Sequence, residues 1–191
     1  MTAETKAGLK AELRRRTLAR RDALAPDVRI ERALRAAERG IGHPLLELDP
    51  GTVVAGFLPI RSEIDARPLM DGLRVRNCRL CLPVVIGNAL VFRELTRTTP
   101  LVHAGFGTVG PDEAADVLIP QVLLVPCAAF DRAGHRIGYG AGHYDRALAA
   151  LDDPLAIGLA FAIQEVERVP AEPHDRPLAA VITDEGVIEI A

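Results

Sequence analysis

Val122-Leu123-Leu124-Val125-Pro126-Cys127-Ala128-Ala129-Phe130 runs through a short turn, Asp131–Gly134, into Arg136-Ile137-Gly138-Tyr139-Gly140-Ala141-Gly142-His143-Tyr144-Asp145-Arg146. This stretch decides the fold class. Residues 122–130 are an unbroken apolar run of strand length, the pattern of a strand buried on both faces. Three alternating glycines then lead directly into 143–151, which reads as a helix. Strand, glycine-rich turn and helix in succession make one unit of an α/β sheet.

Working outward, the alternation continues on both sides. Residues 52–58 (TVVAGFL), 79–85, 90–95 and 155–162 (LAIGLAFA) read as strands, and 179–183 with 187–190 as a last pair around Glu185-Gly186. A helix is expected over 66–76, and 96–117 reads as a long irregular loop of the kind that is more often functional than not. The N-terminal part has helical spacing instead. A helix over 3–24 carries Leu9, Leu13 and Leu24 near one face. A second over 26–39 starts at Pro26, places Ile30, Ala33, Leu34 and Ala37 at i, i+3, i+4, i+7, and stops at Gly40. Strands alternating with helices predict one three-layer α/β domain over residues 1–191, with the basic helix 3–24 packed on its body. No repeat, low-complexity segment or linker interrupts it.

Composition narrows the function classes. With 191 residues, 49% hydrophobic and 26% charged, the chain can bury a core and is not a disordered one. No uncharged apolar run approaches the roughly 18 residues that span a bilayer, so no membrane partner is expected. Aromatic residues are only 4%, which disfavours proteins that stack several nucleic-acid bases. Cys78 and Cys81 form a C-x-x-C, but with only Cys127 besides there is no second pair for zinc, so reduced thiols are expected. The N-terminus is charged and lacks the apolar core of a signal peptide, so the expected compartment is the cytoplasm. Net charge is −3, yet residues 1–40 hold 11 Lys/Arg against 6 Asp/Glu and the remainder 12 against 20. A basic segment on an acidic body suggests an anionic ligand rather than a broad nucleic-acid surface.

Four stretches can carry chemistry. In Arg136–Arg146, glycine permits close backbone approach, and a helix start offers N–H groups to phosphate. The pattern is neither a Walker A loop nor a dinucleotide fingerprint, and a tight strand-to-helix turn explains the glycines equally well. On the first helix Lys10, Arg14, Thr17 and Arg21 share one face beside the leucines, where they either reach a cleft or form a solvated charged surface. Pro59–Asp65 lies past the carboxyl end of the first strand, the usual ligand side of an open sheet. There Glu63 either bonds a substrate's N–H groups or caps the next helix. His174-Asp175 looks like a His–acid pair, but no activated serine or cysteine accompanies it, so a hydrolytic triad is rejected.

In series these segments resemble the 5-formyltetrahydrofolate cyclo-ligase family. Val125-Pro126-Cys127-Ala128-Ala129-Phe130-Asp131 and Arg136–Asp145 are similar to its VPG-x-AFD and RLGYGGGYYD. Lys10–Arg14 with Arg20-Arg21, Phe57–Asp65, Leu82-Pro83-Val84, and Val169-Pro170 with His174-Asp175 match in order over residues 10–188. The resemblance implies a CoA-transferase or ribose-phosphate-isomerase type of fold. It also implies ATP- and Mg²⁺-dependent closure of 5-formyltetrahydrofolate to 5,10-methenyltetrahydrofolate, with ADP and phosphate released. In that reaction the formyl oxygen takes the γ-phosphoryl group, N10 adds to the activated carbon, and phosphate leaves.

Site roles follow from the same resemblance. Lys10, Arg14, Arg136, Ile137, Gly138, Tyr139, Gly140, Ala141, Gly142, His143 and Tyr144 would bind ATP, Arg136 and Tyr144 being also catalytic. Leu58 and Glu63 would hold the folate, and Asp145 Mg²⁺. A monomer without nucleic-acid partners is expected. A paralogue with another substrate, or an RNA-binding protein using the basic helix, are the competing readings. The chain departs from the family pattern at Cys127, at Ala141 and His143 (a glycine and a tyrosine in the family), at Gly110 in Gly107-Thr108-Val109-Gly110-Pro111 (a glutamate), and at Ala179 (an aspartate).

Overall fold

The computed structural model describes residues 3–104, 108–172 and 175–190. Two helices come first, α1 (Ala3–Asp22) and α2 (Pro26–Ile41). β1 (Val53–Ala55), α3 (Arg67–Val75), β2 (Arg79–Ile86), β3 (Ala89–Glu94), β4 (Leu101–His103) and β5 (Val109–Pro111) follow. The chain continues through β6 (Val122–Pro126), β7 (Ala129–Phe130), β8 (Arg136–Ile137), α4 (His143–Ala150), β9 (Leu155–Leu159), β10 (Ala180–Ile182) and β11 (Val187–Glu189).

Seven strands form the main sheet in the order β11-β10-β9-β6-β1-β2-β3. The five inner strands run parallel, and β11 and β3 close the edges antiparallel. Successive strand residues point to opposite faces. Val54, Leu80, Leu124 and Ile157 turn toward α2 and α3, against Ala33, Ala37, Leu69 and Leu73. Ala55, Cys81, Leu123 and Val125 turn the other way, with Ala147 and Leu148 of α4. The expected three layers and mostly parallel sheet are therefore present.

Several expectations change. In α2 the buried residues are Ala33, Ala36, Ala37 and Gly40, whereas Ile30 and Leu34 are 63% and 54% exposed. The inward stripe keeps the i, i+3, i+4, i+7 spacing but starts three residues later. Small residues let α2 sit close: a Cβ on Gly40 would come 3.0 Å from the side chains of Ile182 and Leu69. The run 122–130 is two strands. The Gln164 side chain donates to the carbonyls of Cys127 and Ala128 at 2.6 and 3.1 Å, and β7 pairs with β8 in a separate ribbon. The expected strand 155–162 stops at Leu159, ahead of a 3₁₀ turn at Ala162–Gln164. Residues 96–117 are not irregular throughout, because β4 and β5 pair antiparallel within them. Gly107 and His174 lie outside the described residues.

α1 buries polar side chains within the face expected to be apolar. Leu9 is 42% exposed, while Thr17 and Arg21 are fully buried. Leu13 and Leu18 pack on Ala128, Ala129, Ile137 and Val169, but the rest of the inward face is polar. The wall it meets, the glycine loop and the turn after β1, offers hydroxyl and carbonyl acceptors rather than apolar surface. All three cysteines are free and buried, as expected. Burial pushes the Cys81 and Cys127 thiols up to about 12, which leaves them inert.

Candidate active site

The sheet order sets the location. From β1 the chain moves to β2 on one side and returns to β6 on the other. The carboxyl ends of β1 and β6 therefore flank a topological switch point, where open α/β sheets take their ligands.

The turn leaving β1 is held by its own backbone. Glu63 N donates to Ile60 O at 3.1 Å, and Arg61 takes a left-handed φ of 55° to close the turn. Ile60 N donates in return to Glu63 Oε2 at 2.9 Å. Glu63 does not cap α3. That task falls to Asp65, whose Oδ1 accepts from Arg67 N at 3.0 Å. Glu63 instead faces a buried relay from α1. Arg21, 1% exposed, donates from Nη2 to the Tyr139 hydroxyl at 2.8 Å and from Nε to Ser62 Oγ at 3.0 Å. The Ser62 hydroxyl in turn donates to Asp22 Oδ1, and Tyr139 bonds Glu63. Desolvation raises the Glu63 carboxyl above the ordinary glutamate range, and the Ile60 amide, the Arg21 charge and the Tyr139 hydroxyl partly offset it.

The glycine loop closes the other side. Gly140 and Gly142 have φ of +101° and +65°, so glycine is required at both. Ala141 has no such conformation, which is why alanine is tolerated where the family pattern carries glycine. Arg14 Nε donates to Gly138 O at 2.7 Å, and its guanidinium lies 3.5 Å from where a Cβ on Gly140 would be. α4 starts immediately after the loop, with Gly142 as its N-cap and no side-chain cap. Burial and then the Arg146 charge lower the His143 imidazole, so at neutral pH it is uncharged.

Two of the expected phosphate cations already hold carboxylates. Lys10 Nζ contacts Glu172 Oε2 at 2.8 Å and Asp175 Oδ2 at 2.7 Å. Desolvation works to lower its pKa, yet these two hydrogen bonds and charges prevail and raise it. Arg136 Nη2 contacts Asp145 Oδ1 at 2.6 Å, and its Nη1 donates to Arg176 O. Among the described residues, the Arg14 side chain bonds only the carbonyl of Gly138.

Some expected site residues sit differently. The Ile137 side chain is core: it is 2% exposed in the β7–β8 ribbon, and its carbonyl accepts from Ala128 N at 2.7 Å. Tyr139 turns its hydroxyl to Glu63 rather than toward the loop's outer face. Tyr144 packs with the apolar cluster under α4. Desolvation, then the Glu63 charge, pushes its phenol far above the neutral range, so it can donate a hydrogen bond but cannot act as a phenolate. Leu58 lines an open cavity beside α3 and β4. Gly110 is buried in β5, where a Cβ would come 3.1 Å from Val84 Cγ2, so no carboxylate is accommodated there without a shift. Ala179 is exposed ahead of β10, its N–H on Ala156 O at 2.8 Å. Sequence reasoning placed Arg21 only on a charged face. Its burial was unreadable because arginine is usually exposed.

A glycine loop, a helix start, several cations and a desolvated carboxylate gathered at a switch point are the construction of an α/β enzyme with small polar substrates. Comparison with known proteins gives the family. A model of the 5-formyltetrahydrofolate cyclo-ligase family matches residues 6–184. The 5-formyltetrahydrofolate cyclo-ligase of Escherichia coli K12 is 34% identical over 180 residues, covering 89% of this chain and 97% of that protein. The enzyme of that name from Mycolicibacterium smegmatis is 33% identical over 152 residues, 73% of this chain and 78% of its own. The solution structure of Aquifex aeolicus 5,10-methenyltetrahydrofolate synthetase superposes with a TM-score of 0.76 at 31% identity, covering 95% of this chain and 93% of that one. The chain belongs to the 5-formyltetrahydrofolate cyclo-ligase family.

Proposed function

We propose that this enzyme closes 5-formyltetrahydrofolate to 5,10-methenyltetrahydrofolate, consuming ATP with Mg²⁺ and releasing ADP and phosphate. The observation that carries this reading is that one loop serves two walls. Gly138–Gly142 receives Arg14 on one side and, through Tyr139, joins the Arg21–Glu63 relay on the other. A phosphate-binding surface and a carboxylate suited to N–H donors thus lie on adjoining walls of one crevice.

The residues divide the work. Arg14, Lys10 and Arg136 neutralise phosphate charge, and the loop and α4 start present N–H groups, since phosphoryl transfer needs positioning and charge stabilisation more than covalent help. Binding at Lys10 displaces Glu172 and Asp175. Glu63 accepts from the pterin N–H groups, fixing the ring beside Leu58. Among the described residues no group of three metal-ligating side chains occurs. Asp145 nevertheless fits Mg²⁺ that arrives with the nucleotide: Arg136 and the Arg176 amide occupy its Oδ1, and its Oδ2 makes no hydrogen bond among the described residues. The ion would supply further neutralisation of the phosphates, taking its other ligands from them and from water.

The inward turn of Lys10, Arg14 and Arg21 withdraws these cations from any RNA-docking face, which favours the enzyme reading over a nucleic-acid partner. Three unpaired buried thiols suit the cytoplasm. The test is an absorbance assay for methenyltetrahydrofolate with 5-formyltetrahydrofolate, ATP and Mg²⁺. Product that requires all three is expected. Folded protein that forms none and binds neither substrate overturns the proposal.

A further inference from the structure

A cavity of about 390 Å³ lies between a second face of α1 and the segment 165–168. Its volume falls within the roughly 300–1,000 Å³ usual for small-molecule sites. It is separate from the site described above. At about 100° per residue, Leu13, Arg16 and Arg20 sit roughly a quarter-turn around α1 from Lys10, Arg14 and Arg21. Leu13 and the buried Val166 pack in one cluster and give the cavity its apolar lining.

The polar lining is mostly cationic. Arg16, Arg20 and Arg168 are exposed, and none has a hydrogen-bond or ion-pair partner among the described residues. The nearby acids are committed elsewhere. Glu12, four residues before Arg16, accepts from Arg15 on both oxygens at 2.7 and 3.0 Å. Glu165 lines the cavity but accepts from Arg132 on both oxygens, at 2.6 and 3.2 Å. Glu167 leaves one negative charge against three positive ones. Arg16 and Arg20 stand four residues apart on one helix, a like-charge spacing that disfavours the helix itself. The main-chain N–H groups of Glu167 and Arg168 also have no acceptor among the described residues. Donors and positive charge from two elements thus meet at one cavity, in excess of the acceptors that line it.

We infer that this cavity binds a small polyanion, a molecule with two or more phosphate or carboxylate groups, on the guanidinium groups of Arg16, Arg20 and Arg168. Guanidinium forks match both kinds of oxyanion, and their charge-assisted bonds are stronger than neutral ones. Two negative charges balance the excess of the three arginines over Glu167. Cations gathered around a cavity, rather than along a stripe, suit a small ligand better than a polymer backbone. The inference is independent of the cyclo-ligase reading, in which no residue of this cavity has a role.

Tripolyphosphate and citrate, titrated separately into the full chain, test it. Calorimetry at about 0.15 M salt screens out weak attraction to exposed charge. Methyl NMR of Val166 reports where a probe binds. At least one probe should bind and shift Val166. Arg16→Ala and Arg168→Ala should each weaken that binding about tenfold, the scale of one charge-assisted hydrogen bond. Neither change should move Tm, since both side chains are exposed and unpartnered, so lost binding will not reflect lost folding. Arg14→Ala, which disables the other face of α1, should leave the Val166 shift and its affinity as they were. Binding of tripolyphosphate alone identifies a phosphate ligand, of citrate alone a carboxylate ligand, and of both the shared oxyanion chemistry. Neither probe binding, an affinity unchanged in both arginine variants, or binding that leaves Val166 unshifted and is abolished by Arg14→Ala overturns the inference.

Discussion

Replacing Tyr139 by phenylalanine removes one oxygen from the centre of the site and leaves its ring in place. That oxygen accepts from Arg21 Nη2 at 2.8 Å and bonds Glu63. Arg21 is 1% exposed, so water cannot readily replace the lost partner. A hydrogen bond to a charged group contributes about 1.5–3 kcal/mol, which puts the loss near 2 kcal/mol. For a chain of this size each kcal/mol moves Tm by about 2–4 °C, so Tyr139→Phe should melt about 4–8 °C lower. The effect should depend on pH. The Glu63 carboxyl is already raised by burial, and losing a donor raises it further, so the fold is penalised more wherever Glu63 ionises. That part of the destabilisation grows as pH rises through the folded Glu63 range and vanishes below it. The acid limb of folate turnover should shift to higher pH for the same reason. Calorimetric melts at neutral and acid pH, with a pH profile of folate kcat/KM, read both effects. An unchanged Tm together with an unmoved acid limb would refute the idea that Tyr139 links Arg21 to Glu63.

Arg14→Ala should weaken ATP binding more than Lys10→Ala, because Lys10 must first release two carboxylates whereas Arg14, among the described residues, is held by a carbonyl alone. Titration calorimetry giving equal losses would contradict this. Glu63→Gln should leave ATP affinity intact and raise the folate KM, since an amide turns one acceptor into a mismatched donor; unchanged kinetics would assign Glu63 to turn structure alone. Gly142→Ala should cost about 1–2 kcal/mol in denaturant melts through its left-handed φ, with a further clash 3.0 Å from Arg146 Nη1, whereas Ala141→Gly should be nearly neutral. Equal effects at the two positions would show that the loop does not hold this conformation.

Most of the architecture was legible because its signals are local. The apolar runs 79–85 and 155–162 and the helical spacing of 66–76 depend only on residues close in sequence, and each produced its element within a few residues at the ends. The errors occurred where a distant partner decided the outcome. Nothing near Cys127 announces that the amide of Gln164 will take its carbonyl and end β6. Ile30 and Leu34 satisfied the helical period as well as Ala36 and Gly40 did, and only the closeness of Ile182 and Leu69 selects the smaller pair. At the site, the glycine loop and Glu63 stood out through residue type and position. Arg21 did not, because its significance comes from Ser62 and Tyr139, 41 and 118 residues away. Ile137 was credited to the site because it sits inside a distinctive motif, yet its apolar side chain belongs to the core.

The polar inward face of α1 has a consequence for biogenesis. This helix is made before the sheet, yet the partners that its inward cations take outside α1 follow much later: Ser62, then Gly138 and Tyr139, then Glu172 and Asp175. An apolar stripe of the same length would stay uncovered while most of the chain was still being made, inviting association between nascent chains. A face of lysine, arginine and threonine remains hydrated in the meantime. Its docking therefore waits on residues as distant as Asp175, so the wall it forms with the glycine loop is completed only after most strands of the main sheet have been made.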